Sequence, residues 1–170
     1  MDLNAFFKIT YGVYIITTRL DEKLNGMVAT TFSQITAEPV RVTVGISKEN
    51  LSHEIIQKTG VFGVNALSRE ATFKFIGGFG FKSGRDADKF KDIPYEVGQT
   101  GVPLLHDNTV AVFEAKVIDS MDAGTHTIFL ADAVDGRILA DTEPMTYEYY
   151  HKVIKGKSPK SAPTFVVNKA

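Results

Sequence analysis

Residues 11–35 read Tyr11-Gly12-Val13-Tyr14-Ile15-Ile16-Thr17-Thr18-Arg19-Leu20-Asp21-Glu22-Lys23-Leu24-Asn25-Gly26-Met27-Val28-Ala29-Thr30-Thr31-Phe32-Ser33-Gln34-Ile35. The first ten are rich in β-branched and aromatic side chains, which suit a pleated, half-buried surface. Asn25-Gly26 is a strong hairpin signal, because both residues tolerate positive φ. The stretch therefore predicts a strand over 11–20, a turn at Asn25-Gly26 and a return strand over 27–35.

The same pattern continues outward. Residues 41–47 alternate Val42, Val44 and Ile46 with small residues, and residues 61–67 are apolar. Residues 109–119 alternate again, and 127–134 read as a strand after the turn-like Met121-Asp122-Ala123-Gly124. Pro39 marks a boundary. A short helix is expected over 4–9 and another over 53–58, the latter capped by Asn50 or Ser52 and stopped by Gly60. A further helix opens at Ser68 and ends at Gly77-Gly78. Residues 79–92 read as an ordered polar loop with a helical turn near 86–90. Six or seven strands without a βαβ rhythm predict an antiparallel barrel, not a doubly wound sheet.

Composition narrows the chemistry. The chain has 170 residues, which fits one domain. Its formal net charge is −1, so nothing global draws it to nucleic acid, and no helix-turn-helix is visible. There is no cysteine, which removes disulfides, Cys-ligated zinc, iron–sulfur clusters and thiol catalysis. Redox chemistry would have to come from a bound cofactor. Four scattered histidines give no metal-ligand spacing, so no metal is expected. Met1-Asp2-Leu3-Asn4 has no basic or apolar region of a signal peptide, and no apolar run reaches the ~18 residues of a membrane span. A cytoplasmic protein with no membrane partner is the expectation.

Two nucleotide motifs are missing. Gly77-Gly78-Phe79-Gly80 follows a helix, which is the wrong context for a dinucleotide fingerprint, and there is no P-loop. Four other stretches carry weight. Asn25 through Ser33 sets small hydroxyl residues beside a glycine, where backbone can approach a flat ring; taken alone, a hairpin whose threonines simply prefer strands explains it better. Ser47-Lys48-Glu49-Asn50-Leu51-Ser52 joins a strand end to a helix start, a place that suits a phosphate or merely a cap. Residues 81–90 hold Ser83, Gly84, Arg85 and Lys89, either a loop over a ligand or a solvated surface. Gly124-Thr125-His126 offers one imidazole at a strand start, either structural or a donor to an incoming dinucleotide.

Taken in order, these motifs resemble the flavin reductase-like family of FMN-binding split barrels. They are Asn25-Gly26 through Thr36, Ser47-Lys48-x-Asn50, Ser83-Gly84-Arg85-Asp86-x-Asp88-Lys89-Phe90 and Gly124-x-His126-x-Ile128. The tail, Tyr149-Tyr150-His151-Lys152 and Lys155-Gly156-Lys157-x-Pro159-x-x-Ala162-Pro163-Thr164, is similar to the branch of ferric reductase, flavoredoxin and rubredoxin-linked flavin domains. The resemblance covers the whole chain and implies a single FMN-binding domain over 1–170, with 152–170 an extended basic tail.

It also implies a mainly β Greek-key split barrel with short flanking helices, working as a homodimer. FMN would be the cofactor and NADH or NADPH the co-substrate. Met27, Ala29, Thr30 and Thr31 would meet the ring, and Ser47, Lys48, Asn50 and Ser52 the ribityl phosphate. Ser83, Gly84 and Lys89 would close over the ligand, and His126 would meet the nicotinamide dinucleotide. Many family members place Asp before this histidine; here it is Thr125. Hydride would pass through flavin N5 to free flavin, a ferric chelate or a small redox protein, with no essential protein acid or base. The alternatives are a flavoredoxin-like electron carrier with poor NAD(P)H turnover and a non-enzymatic flavin-binding sensor.

Overall fold

The computed structural model describes residues 1–159 and 162–164. A 3-10 helix, Leu3–Lys8, precedes β1 (Tyr14–Leu20), β2 (Lys23–Ala29), β3 (Ser33–Ala37) and β4 (Val40–Ser47). Helix α1 (Leu51–Thr59), β5 (Val61–Leu67) and α2 (Phe73–Gly80) follow. A small hairpin of β6 (Tyr95–Val97) and β7 (Pro103–Leu105) leads to the long pair β8 (Thr109–Asp122) and β9 (His126–Ile138). Helix α3 (Tyr147–Lys152) comes last.

Seven strands form one sheet in the order β2-β1-β5-β8-β9-β4-β3, and every pair is antiparallel. The sheet curls round its main apolar cluster. Ile16 of β1, Ala29 of β2, Val44 of β4, Phe62 of β5, Ala115 of β8 and Phe129 of β9 all belong to it. Tyr14, Phe32 and Phe113 bridge one end with ring centroids 5.1 and 5.9 Å apart. Strand β1 is buried on both faces, since Ile15 packs outward under α2 and α3 in a second cluster. That is why the run Ile15-Ile16 is apolar without alternation. The result is the antiparallel split barrel expected from the sequence.

The hairpin turn lies elsewhere than expected. Asp21 takes it, at φ 53, and Asn25-Gly26 sits inside β2 opposite Thr18 and Thr17. Tertiary contact explains the glycine: a Cβ at position 26 would lie 2.7 Å from the Phe79 ring. The predicted return strand over 27–35 is broken at Thr30-Thr31-Phe32 into the end of β2 and the start of β3. Helix α2 starts at Phe73, because Thr72 accepts the Phe75 N–H and caps it, whereas Ser68 accepts from Glu70 N in a turn. It runs through Gly77-Gly78 to Gly80. No helix forms over 86–90. Asn50 is the α1 N-cap, and Gly60 ends that helix at φ 68. The predicted tail begins within α3. Lys160, Lys169 and the rest of residues 160–161 and 165–170 lie outside the described residues.

Short strands β6 and β7 escaped the sequence reading. Their hairpin plugs one end of the barrel, where Val102 and Leu104 pack on Val112. Thr17 Oγ1 donates to Pro103 O at 2.5 Å, and Asn65 Oδ1 accepts from Leu105 N at 2.7 Å. Glu114, 1% exposed, reaches from β8 to the β6–β7 turn. Its carboxylate accepts from Gln99 N, Thr100 N and Thr100 Oγ1 at 2.8, 2.7 and 2.5 Å.

Candidate functional site

The closure of the sheet makes a cleft. The corner after β2 brings Thr30 and Thr31 against β4, where Thr31 Oγ1 donates to Gly45 O at 2.7 Å. Helix α2 lies over β2 and supplies Ile76, Phe79 and Gly80; Phe81 and Lys82 follow it. The end of β4 adds Ser47 and the α1 N-cap adds Asn50, while His126 opens β9 beside them at the register Ser47 opposite His126. Residues 157–159 and 162–164 complete the wall.

The cleft is chemically divided. Met27, Val28, Ala29, Ile76 and Phe79 give it an apolar side. Ser47, Asn50, Lys82 and Lys89 give it donors and positive charge. Asn50 makes no side-chain cap bond to α1. Its backbone carbonyl accepts the His53 N–H at 3.0 Å, and the positive end of the α1 dipole lies at this polar end of the cleft.

Of the residues singled out in the sequence, Met27, Ala29, Thr30, Thr31, Ser47, Asn50, Lys89 and His126 line this cleft. Lys48, Ser52, Ser83 and Gly84 do not. Lys48 Nζ pairs with Asp122 Oδ1 at 2.7 Å. Ser52 Oγ accepts from Asn25 Nδ2 at 2.9 Å inside the fold. Ser83 Oγ accepts the Arg85 N–H at 3.1 Å. Gly84 lies over Asn25, whose Oδ1 would be 2.0 Å from an added Cβ. Arg85 is held in a two-pronged ion pair with Glu54. Phe81 and Lys82, at the start of the candidate loop 81–90, and the tail residues Ser158, Pro159, Pro163 and Thr164 line the site although none was singled out as a ligand contact.

Two titratable groups are tuned by their settings. His53 shares a 2.8 Å hydrogen bond with Thr127 Oγ1, and burial followed by the Lys48 charge holds its pKa below the ordinary value. Lys89 Nζ donates to Gly26 O at 2.7 Å and Phe79 O at 2.8 Å, which ties β2 to α2. Burial lowers its pKa from 10.5 to about 8. The folded chain therefore gives up this proton more readily than the unfolded one. The cost of the buried ammonium is fully present below about pH 8 and is relieved as pH rises toward 10.5. Denaturant unfolding at pH 7.5, 9 and 10 should show wild type gaining stability relative to Lys89→Met; a constant difference between the two would refute the assignment.

Comparison with known proteins gives consistent findings. A family model described as flavin reductase like domain matches residues 6–157. The ferric-chelate reductase (NAD(P)H) of Archaeoglobus fulgidus is 43% identical over 169 residues, 99% of this chain and 100% of that protein. The high molecular weight rubredoxin of Moorella thermoacetica is 47% identical over 169 residues, 99% of this chain and 74% of its own length. The solved structure of the flavin reductase HpaC complexed with NADP+ superposes with a TM-score of 0.73 at 27% identity, covering 85% of this chain and 89% of that one.

Proposed function

The chain belongs to the flavin reductase-like domain family, and from that premise we propose that it is an FMN-dependent oxidoreductase taking hydride from NAD(P)H and passing electrons to an acceptor. The carrying observation is the divided cleft: an apolar wall of Met27, Ala29 and Phe79 facing a polar end at Ser47, Asn50 and the start of α1. FMN has the same two-part character, a flat ring and a phosphate. The residues fit it. Gly45 and Gly80 let backbone line the cleft, and the positive end of the α1 dipole beside Ser47 and Asn50 suits a phosphate.

Bound FMN supplies hydride acceptance at ring N5. Protein residues do the rest. In this reading Thr30 and Thr31 hold the ring edge, and Met27 and Ala29 pack against the ring. Ser47 and Asn50 orient the ribityl phosphate, with Lys82 and Lys89 contributing positive charge. Lys48, Ser52, Ser83 and Gly84 support this set from behind, through the contacts already described. No side chain is required to move a proton. The acceptor is free flavin, a ferric chelate or a small redox protein; the names of the Archaeoglobus and Moorella relatives favour the last two. Exposed Ile35, Val40, Ile118 and Met121 offer apolar area for a second copy of the chain.

His126 is assigned to the nicotinamide dinucleotide. Its Nδ1 lies 2.9 Å from Thr125 Oγ1, so the threonine orients the ring where Asp is usual. His126→Ala should raise the apparent KM for NAD(P)H roughly tenfold, the value of one good hydrogen bond, while FMN affinity stays within about twofold. Equal loss of both would remove that role.

The direct test is the visible spectrum of purified protein with added FMN, then anaerobic NADH, then NADPH. Flavin bands that bleach with one nicotinamide support the reductase and name its donor. Bleaching with dithionite alone would instead indicate an electron carrier. Failure to bind FMN would overturn the reading.

A further inference from the structure

Residues beyond Lys157 lie outside the part matched by the family model, yet they form a wall of the cleft. We infer that residues 155–159 and 162–164 form a strap that belongs to the flavin site and makes the flavin a resident cofactor instead of a freely exchanging substrate. This rests on the reading of the cleft as the flavin site.

The strap is a built contact, not a loose end. Its anchor is α3. Tyr147 OH and Ser158 Oγ share a hydrogen bond at 2.8 Å, and Ser158 Oγ and Thr164 Oγ1 share another at 3.0 Å. Tyr147 OH also donates to Thr164 O at 3.4 Å. One residue earlier, Tyr150 OH donates to Lys157 O at 3.1 Å, and Gly156 N donates to Tyr150 O at 2.9 Å. The Tyr150 ring lies so close that a Cβ on Gly156 would sit 2.1 Å from it. Lys155 takes positive φ, 59, to turn the chain back. The outcome is that Thr164 is 6% exposed, although it lies eighteen positions after the α3 N-cap Thr146.

Position gives this segment its role. It brings the flat apolar faces of Pro159 and Pro163 and the cation of Lys157 to a cleft already bounded by Phe79, Phe81 and Lys82. Phe81 and the prolines belong to separate parts of the chain, so a ligand between them leaves only when the strap lifts. Lifting breaks the Tyr147–Ser158–Thr164 hydroxyl cluster, which has a cost per hydrogen bond and slows release.

The test compares FMN release from full-length proteins, followed as recovery of flavin fluorescence on dilution. Tyr147→Phe/Ser158→Ala/Thr164→Val removes the hydroxyl cluster and keeps side-chain size; release should quicken roughly tenfold. Gly156→Val pushes the strap off Tyr150 and should quicken it at least as much. Unfolding midpoints of both variants without FMN report whether the barrel itself is intact. Unchanged release from both intact variants overturns the strap. Slower release or tighter binding also overturns it, since the segment would then be a plug. A wild-type protein that takes up no FMN overturns the parent reading and the strap with it; that failure is distinguishable because it is already present before any substitution.

Discussion

Gly26→Val is expected to damage stability and ligand binding together. A Cβ at this position would lie 2.7 and 2.8 Å from two atoms of the Phe79 ring. Phe79 cannot step aside easily. It is buried, and its ring meets Phe75 and Phe90 at centroid distances of 5.5 and 5.6 Å. The free direction is into the cleft that Phe79 lines. Overpacking of this kind costs about 2 kcal/mol, read as a lowered urea midpoint. FMN affinity should fall at least roughly tenfold, about 1.4 kcal/mol, because the displaced ring occupies ligand volume. A variant that loses stability but keeps its affinity would show that Phe79 moves outward instead.

Glu114→Ala should cost more. The carboxylate is the acceptor for two backbone N–H groups and one hydroxyl of the β6–β7 turn. A Cβ on Gly98 would meet it at 2.4 Å, so turn and carboxylate are fitted to each other. Removal leaves three donors without an acceptor in a place where Glu114 is 1% exposed. The expected loss is about 3 kcal/mol. For a chain of this size that is a fall in Tm of about 10 °C, measured by thermal unfolding. Glu49→Ala, on the surface, should change stability by less than about 0.5 kcal/mol. A small effect at Glu114 would mean that water satisfies the turn.

Glu114 also shows what the sequence could not reveal. In the alternating run Val110-Ala111-Val112-Phe113-Glu114 it shares a face with Val110 and Val112, and nothing local marks it as a buried carboxylate. Only the plug formed by β6 and β7, each too short to leave a pattern, makes it a buried acceptor. The barrel itself was legible, because Val42-Thr43-Val44 and Phe62-Gly63-Val64 carry their burial in their composition. Gly26 was misread as turn chemistry because local propensity cannot see Phe79, 53 positions away along the chain by the numbering. The convergence of Thr30, Ser47, Asn50 and His126 on one cleft was reached through family resemblance and motif order. By contrast the partners that turn Lys48, Ser52 and Ser83 away from it, namely Asp122, Asn25 and the Arg85 N–H, are long-range or local contacts that no spacing rule encodes.

The strand order has a mechanical consequence. Strand β2 is at one end of the sheet and β4 lies next to the other end, yet Met27 and Ala29 share a cleft with Gly45 and Ser47. A molecule lodged there clasps the first stave of the barrel to the last but one, as a buckle closes a hoop. It can be held only after the hoop has closed, so binding and closure are thermodynamically linked. At a hundred times its Kd such a ligand would add about 2.7 kcal/mol to stability. Thr31→Ala, which removes the Thr31–Gly45 hydrogen bond at the seam, would then lower both the melting temperature and the increment that a given concentration of ligand adds to it.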